Sequence, residues 1–116
     1  MGNSFSKREI GLRGLVTIVA AMTTIPAGAA TVVHLSLKNH QFVPAEISAP
    51  SNTPITIELN NLDSTPAEFE SKTLRVEKRV TGGGKISIWI HPLNPGRYRF
   101  YDDFHQDTTE GFLVAR

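Results

Sequence analysis

The sequence predicts an all-β protein, a sandwich of about seven to eight short strands. Three observations carry that expectation. Apolar residues alternate with polar ones in Thr31–Lys38, Pro54–Asn60 and Lys85–His91, the period of a half-buried strand. Turn-forming clusters recur about every ten residues through residues 31–116, as between sandwich strands. No segment keeps a 3.6-residue apolar period over three turns.

In TVVHLSLK, Val33, Leu35 and Leu37 point inward and His34 points out. Asn39–Ser48 breaks the period, and Pro44 forces an edge or a bend there. Phe42 and Ile47 are expected to plug the end of the core. After the turn Pro50–Asn52, Ile55, Ile57 and Leu59 face in. Asn61–Pro66 is a loop of turn formers. Phe69–Val80 is less regular and reads as two short strands around a crossing segment. Gly82–Gly84 is a turn, followed by Ile86, Ile88 and Ile90 facing in, with Trp89 out. Pro92–Gly96 is a tight turn. Arg97–Tyr101 is a strand, Asp102–Glu110 a polar loop and Gly111–Arg116 a closing strand.

The 116 residues suffice for one small domain, with 12 Lys+Arg against 11 Asp+Glu. Residues 1–29 read as a secretory signal peptide: basic Lys7, Arg8 and Arg13, an apolar centre Gly14–Ile25, Pro26, and small Ala27-Gly28-Ala29. An uncleaved anchor is the competing reading, but about 12 apolar residues are short for a bilayer. The domain proper is then 30–116, with a periplasmic location. Setting aside Lys7, Arg8, Glu9 and Arg13 leaves nine basic and ten acidic residues. That balance gives no basic stripe for nucleic acid. There is no cysteine, which excludes disulfides, thiolate ligands and thiol nucleophiles. Nor is there a G-x-S-x-G, a phosphate loop or an H-E-x-x-H.

The chemistry gathers in YRFYDDFHQDTTEGF, Tyr98 to Phe112, and TPAEFES, Thr65 to Ser71. The closing loop holds Asp102, Asp103, Asp107 and Glu110 around His105. Four carboxylates near one imidazole repel one another unless a cation sits among them, although a solvated loop also tolerates them.

The chain after Ala30 resembles the cupredoxins. The resemblance runs through Phe42-x-Pro44-x-x-Ile47, Asn60-Asn61, Pro95-Gly96-x-Tyr98-x-Phe100 and Gly111-x-Leu113-Val114, and it implies a Greek-key sandwich. In blue-copper members the last loop carries C-x2-H-x4-M, which falls here on Asp102, His105 and Glu110. The earlier His position falls at or near Glu68. The resemblance therefore implies a metal site of Glu68, Asp102, His105 and Glu110 with its sulfur replaced by oxygen. Such a site suits iron, with copper as the competitor on raw affinity.

Glu68-Phe69-Glu70-Ser71, with Leu74 and Glu77-Lys78, is similar to the EfeO cupredoxin-like group and to the cupredoxin component of Ftr-type ferrous-iron transporters. That similarity implies an iron-binding periplasmic protein with an inner-membrane iron permease and other transport components as partners. A ferroxidase-type role is one version of it. A copper- or electron-transfer protein without a cysteine site is the alternative.

Other residues read as structural. Glu70 is expected on the opposite side from Glu68, as a partner for Lys72 or Arg75 ahead of a second-site metal ligand. Asp103 and Asp107 solvate the loop or make a weak second site. His34, His40 and His91 are assigned no chemistry, with His40 the foremost exception. Arg75, Lys78 and Arg79 form a solvated edge or a docking patch.

Overall fold

The computed structural model describes residues 31–116. The signal-peptide assignment, 1–29, lies outside them. Nine strands form two sheets, with no α-helix among the described residues. They are β1 (Thr31–Lys38), β2 (Gln41–Val43), β3 (Glu46–Ala49), β4 (Ile55–Asn61), β5 (Ala67–Ser71), β6 (Val76–Val80), β7 (Lys85–Ile90), β8 (Gly96–Asp102) and β9 (Glu110–Ala115). A single 3-10 turn spans Asp103–His105. The count exceeds the expected seven to eight because Pro44 and Ala45 divide 39–49 into two strands in different sheets.

One sheet has the order β2-β1-β4-β7 and the other β3-β9-β8-β5-β6. Both are mixed: β1 runs parallel to β4, and β9 parallel to β3, while the other neighbours are antiparallel. The alternating apolar residues turn to the space between the sheets. Leu35, Leu37, Ile55, Ile57, Leu59, Ile88 and Ile90 are buried there, facing Phe69, Phe100 and Leu113. Phe42 and Ile47 are also in the core, and Trp89 is exposed, as their positions in the pattern require.

Residues 67–80 make an antiparallel hairpin in which Ala67 pairs with Val80 and Ser71 with Val76. Its turn is locked by the buried Ser71 hydroxyl, which donates to the Arg99 carbonyl at 2.6 Å and accepts from Leu74 N–H at 3.1 Å. Three aromatic rings fill the core beneath this hairpin. Phe69 stacks on Phe100 with centroids 5.0 Å apart, and Phe42 meets both edge-on. Each such pair adds about 0.5–1.5 kcal/mol beyond area burial. Gly111 leaves room for the Phe100 ring, since a Cβ there would lie 2.5 Å from Phe100 Cε1 and 2.9 Å from the Ala45 carbonyl oxygen.

Candidate metal centre

Asp102 ends β8. Phe100 faces the core, and residues two apart in a strand share a face, so Asp102 is turned inward and is 1 % exposed. Its carboxylate is fully engaged by the protein. Oδ1 accepts from Glu68 N–H at 3.0 Å and from Phe104 N–H at 3.1 Å, capping the 3-10 turn. Oδ2 lies 3.2 Å from His105 Nδ1. At the place where the ligand spacing sets a metal-bound atom, Asp102 fastens β5, the turn and His105 to one another.

Glu68, on β5, is adjacent to Phe69, which pairs with Asp102. Its carboxylate is held 3.7 Å from Arg79 Nε. The Arg79 guanidinium also lies 5.5 Å from the centre of the Phe104 ring. Glu110 is at the start of β9, where it accepts from Arg99 Nε at 2.6 Å. Among the described residues, the four expected ligands do not form a group whose ligand atoms all lie within 4.8 Å of one another; Glu68, Glu70 and Asp103 do.

Glu70 is therefore on the same side as Glu68, contrary to the sequence expectation. Ala67, Phe69 and Ser71 are buried while Glu68 and Glu70 stay partly exposed, as the two-residue period of a strand demands. Asp103, one residue beyond the inward Asp102, emerges beside them. Tyr101 pairs with Glu70 across β5 and β8, which sets its hydroxyl beside the Glu70 carboxylate. Desolvation, then the Asp103 and Glu77 carboxylates, push the Glu70 carboxyl above the usual glutamate value. Desolvation and the negative charge of Glu70 push the Tyr101 hydroxyl up as well. Both shifts have the sense expected where partly desolvated groups are crowded by like charge.

Asn61 braces the loop that leads to this cluster. It is fully buried, donating to the Thr65 and Thr81 carbonyls at 2.8 and 3.1 Å and accepting from Asp63 N–H at 3.1 Å. Asp63 in turn receives Asn39 N–H at 2.6 Å and His40 N–H at 2.9 Å. The His40 N–H holds the Asp63 carboxyl below its usual range, against an opposing contribution from desolvation, with the Asn39 N–H adding to the lowering.

A broader groove of about 450 Å³ lies on the outer face of the other sheet, lined by Val32, His34, Glu58, Asn60 and Lys85 among others. It brings together no metal-ligand group like that of Glu68, Glu70 and Asp103. The carboxylate cluster is the stronger site on chemical grounds.

A family model described as a cupredoxin-like domain matches residues 12–115. The chain belongs to the cupredoxin-like family. A relative, an uncharacterized protein of Rickettsia prowazekii (strain Madrid E), is 43 % identical over 83 residues, spanning 72 % of this chain and 66 % of that protein's length. Among solved structures, the metal-binding domain of the Cu(I)-exporting P-type ATPase CopA of Streptococcus pneumoniae D39 is similar, at TM-score 0.68 and 14 % identity, over 80 % of this chain and 91 % of the other. The blue copper protein auracyanin A of Chloroflexus aurantiacus gives TM-score 0.63 at 10 % identity over 76 % and 100 %. A purple cupredoxin of Nitrosopumilus maritimus gives 0.55 at 17 % over 74 % and 99 %. These likenesses establish the fold.

A thiolate copper centre does not fit this cupredoxin-like chain. It has no cysteine, and its two methionines are Met1 and Met22, so residues 31–116 contain no sulfur. The residue at the cysteine position, Asp102, is buried and already bonded on both oxygens. The sequence reading kept Glu70 and Asp103 outside its main ligand set because it followed the family's spacing. Strand alternation around Phe69 and Phe100 was the signal that points to them.

Proposed function

We propose that this protein is an exported metal-binding component of ferrous-iron uptake. It takes iron as cargo on the Glu68, Glu70 and Asp103 carboxylates and passes it to an inner-membrane permease. The observation that carries the reading is the convergence of these three carboxylates within 4.8 Å, in a domain without sulfur. Oxygen donors select hard cations, and iron and manganese before Cu(I). The basic and apolar start of the chain and the E-F-E-S phrase support export and iron uptake respectively. Carboxylates favour the higher iron charge, so bound Fe(II) gives up an electron to dioxygen or a partner acceptor more readily than the aqueous ion does. Arg79, 3.7 Å from Glu68, stands in for the cation and must swing aside as iron arrives. His105 lies beyond the carboxylate group, and Glu110 is tied to Arg99; neither is a ligand in this reading.

The test is an anaerobic titration of the tag-free protein with Fe(II), followed by exposure to air. Saturable binding that disappears in Glu68→Gln/Glu70→Gln is expected. Equal Fe(II) affinity in that double variant, or no binding by the parent, sinks the proposal. Copper transfer is the second reading, favoured by the copper proteins among the structural neighbours. Copper binding without any response to iron would select it, and the complex would lack the intense blue colour of a thiolate site.

A further inference from the structure

The turn between β1 and β2 carries a second constellation, separate from the carboxylate cluster. Asn39 and His40 both have left-handed backbone, with φ of 52° and 57°. Two consecutive left-handed residues make the tight hairpin turn that suits the strand twist. Asparagine adopts this conformation readily; histidine does so less often. The structure enforces it at His40 from three directions. Asp63 accepts the N–H groups of both turn residues. The hydroxyl of Thr109, itself fully buried, donates to the His40 carbonyl at 2.7 Å.

The result is that the His40 ring lies against the His105 ring. Their centroids are 4.6 Å apart and their planes are inclined by 44°. His105 Nδ1 is within hydrogen-bond distance of Asp102, at 3.2 Å, whereas His40 Nδ1 stands 3.9 Å from Asp63, near it but not bonded to it. On His105 the nitrogen left for an ion is then Nε2, and His40 keeps both of its ring nitrogens. A carboxylate behind the far nitrogen is the usual way a metal-bound imidazole is oriented and made more basic. Two imidazoles bound side by side to one ion, at metal–nitrogen distances of about 2 Å, have ring centres roughly 4.5–5 Å apart when the angle at the metal is near 90°. The observed spacing falls in that range. Both side chains keep nearly half of their surface open, at 47 % and 43 % exposure, so an ion can reach them from solvent.

We infer that His40 and His105 form a second metal site, a two-imidazole site for a nitrogen-seeking divalent cation. Cu(II) binds most tightly, and Ni(II) and Zn(II) more weakly, in the order general to such ligands. Water completes the coordination. The site uses none of the three carboxylates assigned to iron, so it stands or falls independently of that assignment.

The experiment titrates the tag-free full chain with Cu(II) against a competing chelator and reads the bound nitrogens by electron paramagnetic resonance. One copper with two imidazole nitrogens is expected. His40→Asn, which keeps a residue at ease in left-handed backbone, and His105→Gln should each lower affinity at least about tenfold and leave one imidazole nitrogen. His34→Asn and Glu68→Gln/Glu70→Gln should leave both readouts unchanged. An unaltered affinity and nitrogen signal in His40→Asn overturns the inference. Loss of copper in the double glutamate variant also overturns it, because copper would then belong to the carboxylates. Should His40→Asn fail to fold, His105→Gln alone decides by the same readings.

Discussion

Asp102 and Asp103 are neighbours in the chain and opposites in circumstance. Asp102 faces inward, 1 % exposed, with three protein donors on its two oxygens. Asp103 faces outward into a crowd of carboxylates, where Glu70 is pushed toward its protonated form by desolvation and by Asp103 and Glu77. One aspartate has all its hydrogen-bonding needs met; the other has acceptors to spare. A single step of backbone separates a residue that holds the fold together from one that can hold a ligand. The family spacing alone assigns the ligand role to Asp102.

Changes on the inner side should cost stability, and those on the outer side should alter binding. The largest effect is expected from Asp102→Ala. It strands the Glu68 and Phe104 N–H groups and unties His105, a loss of about 3 kcal/mol at typical values for buried bonds to a charged acceptor. In a domain of this size the melting temperature should fall by more than about 10 °C. An unchanged melting temperature with lost iron binding would instead make Asp102 a ligand. Gly111→Ala comes next, because the new methyl meets Phe100 and the Ala45 carbonyl. Thermal unfolding should register about 1–3 kcal/mol of destabilisation, with affinity for iron retained.

Glu70→Gln should separate the two sides most directly. A carboxyl whose value is raised by folding stabilises the fold only while protonated. That contribution is present below the ordinary glutamate value of 4.5 and is lost as pH rises through the folded value. The metal-free variant should therefore melt higher than the parent at pH 7. Its advantage should vanish as the pH is brought below 4.5, while Fe(II) affinity drops roughly tenfold or more at neutral pH. A variant that melts no higher and binds as well as the parent would reduce the cluster to an ordinary solvated surface. The smallest effect belongs to Glu110→Gln, which removes an exposed pair with Arg99. Calorimetry should find less than about 1 kcal/mol and no change in iron binding; a large loss of binding would return Glu110 to the site.

The strands with strict alternation were legible from composition alone, since Ile55, Ile57 and Leu59 or Ile88 and Ile90 have no other way to be buried together. The hairpin β5–β6 was less so. A strand reading Ala-Glu-Phe-Glu-Ser offers a single large apolar residue, and Ser71 is buried by its hydrogen bonds rather than its hydropathy. The site was half legible. Glu68 and the closing loop were singled out through the family resemblance, and the sides taken by Glu70, Asp102 and Asp103 were not drawn from Phe69 and Phe100. The pairing of His40 with His105 was out of reach, because 64 intervening residues separate them and their contact depends on Asp63 and Thr109.

The place of β9 between β3 and β8 has a consequence for how this protein comes to exist. Residues 46–49 and 96–102 gain their shared neighbour only when residues 110–115 arrive. A nascent chain halted before Glu110 is left with two sheet fragments and an open seam. Closure of that seam joins segments more than sixty residues apart, as Phe112 opposite Glu46 illustrates, and such distant pairing is slow to find. Assembly of this sheet therefore waits for residues 110–115, which lengthens the interval in which the polypeptide stays unfolded.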